Sequence, residues 1–524
     1  MSNEPEKMKQ KIQEVEERRA KLKAGGGPLE VEKQHSKGKL TARERIDILL
    51  DSGTFFEIDL WRSQRKTGFD VDKKELPGDG VVTGLGEIDG RPVFVYAQDF
   101  TVLAGTMASV HAKKVIKVME EALRVRVPII GMVDSGGVRI QDNVTADLKD
   151  TYIRMFYLHT ILSGVVPQVS LMMGPCAAGA SYSPILTDFC FMVKDTSHMY
   201  IASPALIKAV TFKDTTEEEI GSAKMHAEVS GCSDLTAEND GDCLQKAKDL
   251  MSFLPLNNEE NPPIKKTNDD PNRRDEDLLS IVPTNLKQPY DVGKVIKTIA
   301  DDHYLFEIKK DYAKNMVTCF IRLGGHSVGV IANNPMFLGG SIDINASDKA
   351  ARFIRFCDAF NIPLLFLADN PAYLPGVDQE RGGIIRHGAK VLFAASEATV
   401  SKMTVVLRKN YGGGVSAMCP RPMGSNLMLA WPIAELGVMG AEGAVSIIFK
   451  NELKAAKNSK ELFQTRLKEY TESTGKFPFQ AAMNGWLDDI IDPRDTRSIL
   501  IKAFQWFAGK KEERPWKKHG NIPL

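Results

Sequence analysis

The sequence predicts an α/β fold that is built twice in one chain, and three observations carry that expectation. A short buried strand, Val169–Met173, breaks at Gly174-Pro175 into a run of small residues from Cys176 to Ala180. Met403 to Ala417 repeats the pattern, an apolar strand followed by Gly412-Gly413-Gly414. One offset, 413 − 178 = 235, pairs Ala178-Gly179 with Gly413-Gly414, Val127–Asp134 with Ile362–Asp369, Leu103–Thr106 with Leu338–Ser341, and Lys114 with Lys349. Several anchors on one offset indicate an internal duplication.

The chain opens with a Lys- and Glu-rich stretch to Ala24, with Met8, Ile12, Val15 and Leu22 at helical spacing, so an amphipathic helix lying on something larger is expected. Gly25-Gly26-Gly27-Pro28 ends it and lacks the Lys-Ser/Thr of a phosphate loop. Thr41 and Glu44 form a capping box for a helix through Ile46 and Leu50, closed by Asp51-Ser52-Gly53. Asp89-Gly90 between two apolar runs, from Gly80 to Ala97, signals a hairpin. Ala108–Val125 reads as a helix with Val115, Val118, Met119 and Ala122 on one face, and Ile129–Val133 as the next strand. Strand–helix–strand alternation argues for parallel strands with right-handed crossovers. The stretch from Pro255 to Pro289 holds six prolines and a polar run, which marks a linker between the copies. Ala202 and Pro204 resemble Ala430 and Pro432, at a different offset of 228. The expected division is 1–260 (with a helical extension 1–53), a linker 261–290, and 291–524.

Composition excludes several classes. Lys plus Arg and Asp plus Glu both number 68, so no global charge calls for nucleic acid as a partner. The seven cysteines include no CxxC pair, which argues against a zinc ribbon or disulfide framework and for a reducing cytoplasm. No apolar run approaches the ~18 residues of a membrane span, and the N-terminus is charged. There is no GxSxG nucleophile elbow, no HExxH and no biotin-attachment AMKM; Ser222–His226, SAKMH, is not that motif. His111 and His387 are read as helix-surface or core residues. No metal is expected.

A strand that turns sharply into a helix leaves the first helical N–H groups without acceptors. With the helix dipole, such donors make a site for a developing oxyanion. Ala178 and Gly179, and in the second copy Gly413 and Gly414, are therefore the candidate catalytic residues. Ligands gather beyond the carboxyl ends of strands in open α/β folds. That adds Gly136, Gly137 and Ser181 in copy one, and Gly339, Gly340, Val415 and Ser416 in copy two, as candidate substrate-binding residues.

Long ordered stretches resemble the carboxyltransferase β-subunits of biotin-dependent acyl-CoA carboxylases, of the propionyl-CoA carboxylase type. They include TARERIDILLD at 41–51, PGDGVVTGLGEIDGR at 77–91, DSGGVRIQ at 134–141, MGPCAAGASYSP, GGSIDINASDKAARFIRFCDAFNIPLL, AWPIAELGVMGAEGAVSIIFK and the terminal RPWKKHGNIPL. The resemblance implies two crotonase-like (ββα-superhelix) domains and a homo-oligomer, a hexamer, with sites assembled from two subunits. It implies an acyl-CoA thioester oxygen at Ala178-Gly179 and the ureido oxygen of biotin at Gly413-Gly414. Biotin would arrive on a separate carrier protein or domain, charged by a biotin carboxylase. Two enolates need two oxyanion sites, and no catalytic His or carboxylate is named. The family's decarboxylase relatives run the reverse transfer, which would bring only an indirect membrane association.

Alternatives of other classes are a crotonase-type enoyl-CoA hydratase or isomerase, which needs a glutamate that no residue flanking Ala178-Gly179 supplies, and a non-catalytic scaffold. The chain departs from the family pattern in places. Ala178-Gly179 stands for Gly-Gly, Gly413-Gly414 for Gly-Ala, Val138 for Ala, Asn370–Tyr373 (NPAY) for VPGF, and Val415-Ser416 for Tyr-Asp. Ala178 serves provided its φ is not positive. Loss of bulk and of a negative charge at 415–416 points to an acyl group other than plain propionyl.

Overall fold

The computed structural model describes residues 4–143, 151–473 and 478–524. Contacts divide the chain into two compact units, Met1–Glu260 and Asn261–Leu524. The first unit carries strands β1 Phe56–Ile58, β2 Val81–Ile88, β3 Arg91–Gln98, β4 Ile129–Val133, β5 Gln168–Met172, β6 Pro175–Ala177, β7 Phe189–Val193, β8 His198–Tyr200 and β9 Leu235–Ala237. The second carries β10 Leu305–Ile308, β11 Met316–Leu323, β12 His326–Asn333, β13 Leu364–Asn370, β14 Lys402–Tyr411, β15 Leu427–Ala430, β16 Glu435–Gly437 and β17 Asp489–Ile490.

Among the described residues the main sheets run β1-β2-β3-β4-β5-β7-β9 and β10-β11-β12-β13-β14-β15-β17. In each, the first three strands are antiparallel neighbours and the rest parallel. The duplication therefore extends to strand order and direction. Each hairpin turns through two residues of positive φ, Asp89-Gly90 (51° and 70°) and Gly324-Gly325 (59° and 84°), the turn that matches strand twist. Helix Ser109–Val125 covers the first sheet, with Val115, Val118, Met119 and Ala122 completely buried on the expected face. The valines and the methionine each contribute about 1.5–3 kcal/mol of burial.

Lys114 and Lys349, matched by the offset, are both buried and hold loop carbonyls. Lys114 donates to Gly78 and Val81, and Lys349 to Lys309 and Tyr312. Burial pushes their pKa values down, to about 8 and about 7. Their role is to pin loops.

Several expectations need correcting. Helix Glu4–Lys23 buries no residue, and Met8, Ile12 and Val15 stay exposed while Leu22 is half-buried, so none of the described residues covers most of its apolar stripe. The Pro-rich stretch 261–290 belongs to the second unit and is firmly held. Leu278, Val282 and Tyr290 enter its core, Arg273 donates to the carbonyls of Thr298 and Ala300, and Arg408 donates to those of Asn285 and Gln288. Composition shows the prolines but not these distant carbonyl partners. Ala430 ends β15 whereas Ala202 follows β8, the counterpart of β16, so the match at offset 228 places unlike elements together.

Candidate active site

In each unit three turns meet at the carboxyl ends of adjacent parallel strands. In the first they follow β3, β4 and β5. The turn after β3 takes three positive φ values in a row, Leu103 (47°), Ala104 (53°) and Gly105 (60°), and the turn after β12 repeats it at Leu338 (48°), Gly339 (61°) and Gly340 (83°). Only glycine fits the third place: a Cβ there would lie 2.5 Å from the Asp134 carbonyl oxygen at 105, and 2.4 Å from that of Asp369 at 340. Gly340 is thus required by packing and is buried, while Gly339 is exposed.

Asp134, just beyond β4, and Asp369, next to last in β13, are fully buried. Arg45 Nη1 and Lys39 Nζ meet Asp134 at 2.9 and 2.6 Å, and Arg45 Nε also meets Asp240 at 2.7 Å. In the second unit Arg408 Nε meets Asp369 at 2.9 Å, while burial raises the Asp369 pKa against the pull of that guanidinium. These carboxylates are bound up in ion pairs that fix the strand ends. Sequence reasoning missed these partners; the motif DSGG showed the aspartate, but Arg45 lies 89 positions away.

Gly136 and Gly137, expected to bind substrate, have their N–H groups committed, to the Ala104 carbonyl (2.8 Å) and to Ser135 Oγ (3.1 Å). Ser181 is buried with its hydroxyl 3.0 Å from the carbonyls of Cys176 and Tyr200, so it braces the turn from inside. Cys176 is no nucleophile, because burial pushes its thiol up to about 12.

The turns after β5 and β14 are exposed at Ala178, Gly179 and Gly413, whereas Gly414 is buried. Strand register shifts the expected match by one. Ile130 and Leu365 differ by 235, but their partners Val169 and Met403 differ by 403 − 169 = 234. Ala178 thus corresponds to Gly412, Gly179 to Gly413 and Ala180 to Gly414. Backbone angles agree, since Ala178 and Gly412 both have φ 57°. Burial agrees too: Gly179 and Gly413 are exposed, Ala180 and Gly414 buried. The proviso that Ala178 avoid positive φ therefore fails, and an L-residue there carries about 1–2 kcal/mol of strain. A Cβ on Gly179 would meet nothing within 4 Å; one on Gly413 would touch the Tyr373 ring at 3.3 Å; one on Gly414 would overlap Asn370 Nδ2 at 1.6 Å. The departures from the family pattern at 370 and 414 thus share one space. Val415 and Ser416 are half-buried on the short helix Gly413–Ala417, whose N-cap is Gly412.

With this geometry in place, comparison with known proteins is decisive. Residues 33–522 match the carboxyl transferase domain. The chain belongs to the carboxyl transferase family. It is 50% identical over 518 residues to the methylmalonyl-CoA decarboxylase subunit alpha of Veillonella parvula, covering 99% of each chain. It is 49% identical to the propionyl-CoA carboxylase beta chain of Cereibacter sphaeroides, covering 99% of this chain and 100% of that one. Among solved structures it is similar to the transcarboxylase 12S hexamer with methylmalonyl-coenzyme A bound, at a TM-score of 0.94 and 49% identity, covering 98% of both chains. The duplicated units are crotonase-like, and the family is one of biotin-dependent acyl-CoA carboxyltransferases. Among the described residues no cluster of side chains suits a metal ion, and no helix is long and apolar enough to cross a membrane.

Proposed function

We propose that the chain catalyses carboxyl transfer between biotin on a separate carrier and the carbon beside the thioester of an acyl-CoA, with one turn for each oxygen that gains charge. The observation that carries this reading is the repeated turn. Two parallel strands at equivalent places end in small residues, Ala178-Gly179 and Gly412-Gly413-Gly414, that open short helices and are exposed at Gly179 and Gly413. In this reading backbone N–H groups of the first turn take the thioester oxygen, and those of the second take the ureido oxygen of biotin. Each donor supplies about 3–4 kcal/mol to the charge that develops. Gly179 and Gly413, equivalent and exposed, are the principal pair. Biotin, when bound, carries the carboxyl group; the second turn suits its oxygen acceptor, because buried donors at Asn333 and Asn370 lie unpaired at the ends of β12 and β13. No side chain near either turn is assigned as a base.

The overall reaction then needs a biotin carboxylase and a biotin carrier, or in the decarboxylating direction the other subunits of a decarboxylase complex. A hexamer is proposed from the similar transcarboxylase assembly, and the cytoplasm from seven free cysteines, six of them buried. The domain limits stay as 1–260 and 291–524, with 261–290 packed on the second. Relatives named for propionyl- and methylmalonyl-CoA make short branched or dicarboxylic acyl groups the first substrates to try. The test is incubation of the purified chain with methylmalonyl-CoA and biocytin. Biotin-dependent decarboxylation is expected, and biotin-independent hydration of crotonyl-CoA would contradict the proposal. Acyl preference is tested by Ser416→Asp, which is expected to move kcat/KM ratios among acetyl-, propionyl-, butyryl- and dicarboxylic acyl-CoAs by the equivalent of ~1–3 kcal/mol.

A further inference from the structure

Beneath the second turn, three neighbouring strands end in buried amides whose hydrogen bonds are incomplete. Asn333 on β12, Asn370 on β13 and Asn410 on β14 are all completely buried. Asn333 Nδ2, Asn370 Nδ2 and both polar atoms of the Asn410 side chain lack partners. Asn333 Oδ1 accepts from Asp369 N at 3.3 Å, and Asn370 Oδ1 from Ala372 N at 3.1 Å, which sets the orientation of both amides. The first unit has no such deficit at the matching places. Gln98 Oε1 accepts from Asp134 N and its Nε2 faces His111, while Ser135 Oγ donates to the Gly105 carbonyl.

The two units also divide space differently. In the first, small Ser135 accompanies Ala180, which has a methyl group. In the second, Asn370 accompanies Gly414, and the Asn370 amide fills the volume a methyl at 414 would need. That exchange replaces an apolar group with an N–H donor directly under the turn. Buried amide donors without acceptors are rare, and an acceptor that arrives with a ligand resolves the deficit.

We propose that Asn370 is a specificity-determining residue of the second turn: its Nδ2 donates, directly or through one ordered water, to the oxygen of the ligand bound over Gly413. This inference rests on the carboxyltransferase reading and makes the second turn selective for a urea-type acceptor over a thioester.

Asn370→Leu keeps the branching and nearly the volume while removing the donor. Asn370→Ser with Gly414→Ala transplants the first unit's pair. Titration calorimetry with biocytin and steady-state kinetics with methylmalonyl-CoA are run on both variants, with Tm recorded. In Asn370→Leu, biocytin affinity is expected to fall about tenfold and its KM to rise in step, while the KM for the acyl-CoA stays within about twofold. The double variant should keep the wild-type Tm yet show the same weakened biocytin binding. Wild-type affinity in Asn370→Leu overturns the inference, as does full recovery of binding in the double variant, which would make volume the only issue. A wild-type protein without biocytin-dependent turnover would instead overturn the carboxyltransferase reading, and the inference with it.

Discussion

The turn after β5 and the turn after β14 sit at the same place in the same topology, yet they are supported in different ways. Below the first, Asp134 is clamped by Arg45 and Lys39, both from the N-terminal helical extension, and the side chains at the matching strand ends, Gln98 and Ser135, are paired. Below the second, Asp369 is held by Arg408 from β14 itself, and the amides beside it remain unpaired. Strain is distributed the other way. Gly412 adopts φ 57° freely, whereas Ala178 takes the same angle at a cost. One scaffold has thus been furnished twice, with paired side chains at the strand ends under one turn and unpaired amides at those under the other.

The largest effects should come from the ion pairs. Removing a guanidinium from a buried pair leaves a carboxylate uncompensated, at about 3–5 kcal/mol; for Arg45 that carboxylate is Asp240, since Asp134 keeps Lys39. Arg45→Leu and Arg408→Leu should each lose stability of that order in urea unfolding. A loss below about 1 kcal/mol in either would mean that its aspartate is neutral or paired elsewhere. A smaller effect separates the packing of the two turns. Gly414→Ala drives a methyl into Asn370 and should cost about 1–3 kcal/mol, as overpacking does. The equivalent place in the first unit already carries Ala180. If Gly414→Ala unfolds at the wild-type urea concentration, the two turns are packed alike after all. The smallest effect concerns strain. Ala178→Gly should raise stability by up to about 1 kcal/mol, since relief of the left-handed angle exceeds the added chain entropy. A less stable variant would show that the methyl group packs usefully.

The duplication, the strand–turn–helix pattern, the Thr41–Glu44 capping box and the Asp89-Gly90 hairpin were all legible in the sequence, because each rests on local spacing. The exact residue pairing was not. An offset of 235 fits β4 and β13, but β5 and β14 differ by 234, and a one-residue slip between apolar runs leaves no mark in composition. Nor did the glycines of Gly136-Gly137 reveal that their N–H groups are already bonded, since their acceptors come from the turn after β3 and from Ser135. Ser181 misled for the same reason: a hydroxyl next to a candidate site looks available until its carbonyl partners are known.

The division of labour between the turns is tested most directly by Gly179→Val and Gly413→Val, with KM measured separately for methylmalonyl-CoA and biocytin. Gly179 has open space around it, and Gly413 borders only the Tyr373 ring, so both variants should keep the wild-type Tm. The expected result is a split. Turnover falls about 10²–10³-fold in each, with the acyl-CoA KM raised in Gly179→Val and the biocytin KM raised in Gly413→Val. Equal shifts of both KM values in both variants, or full activity in either, would contradict the assignment of one oxygen to each turn.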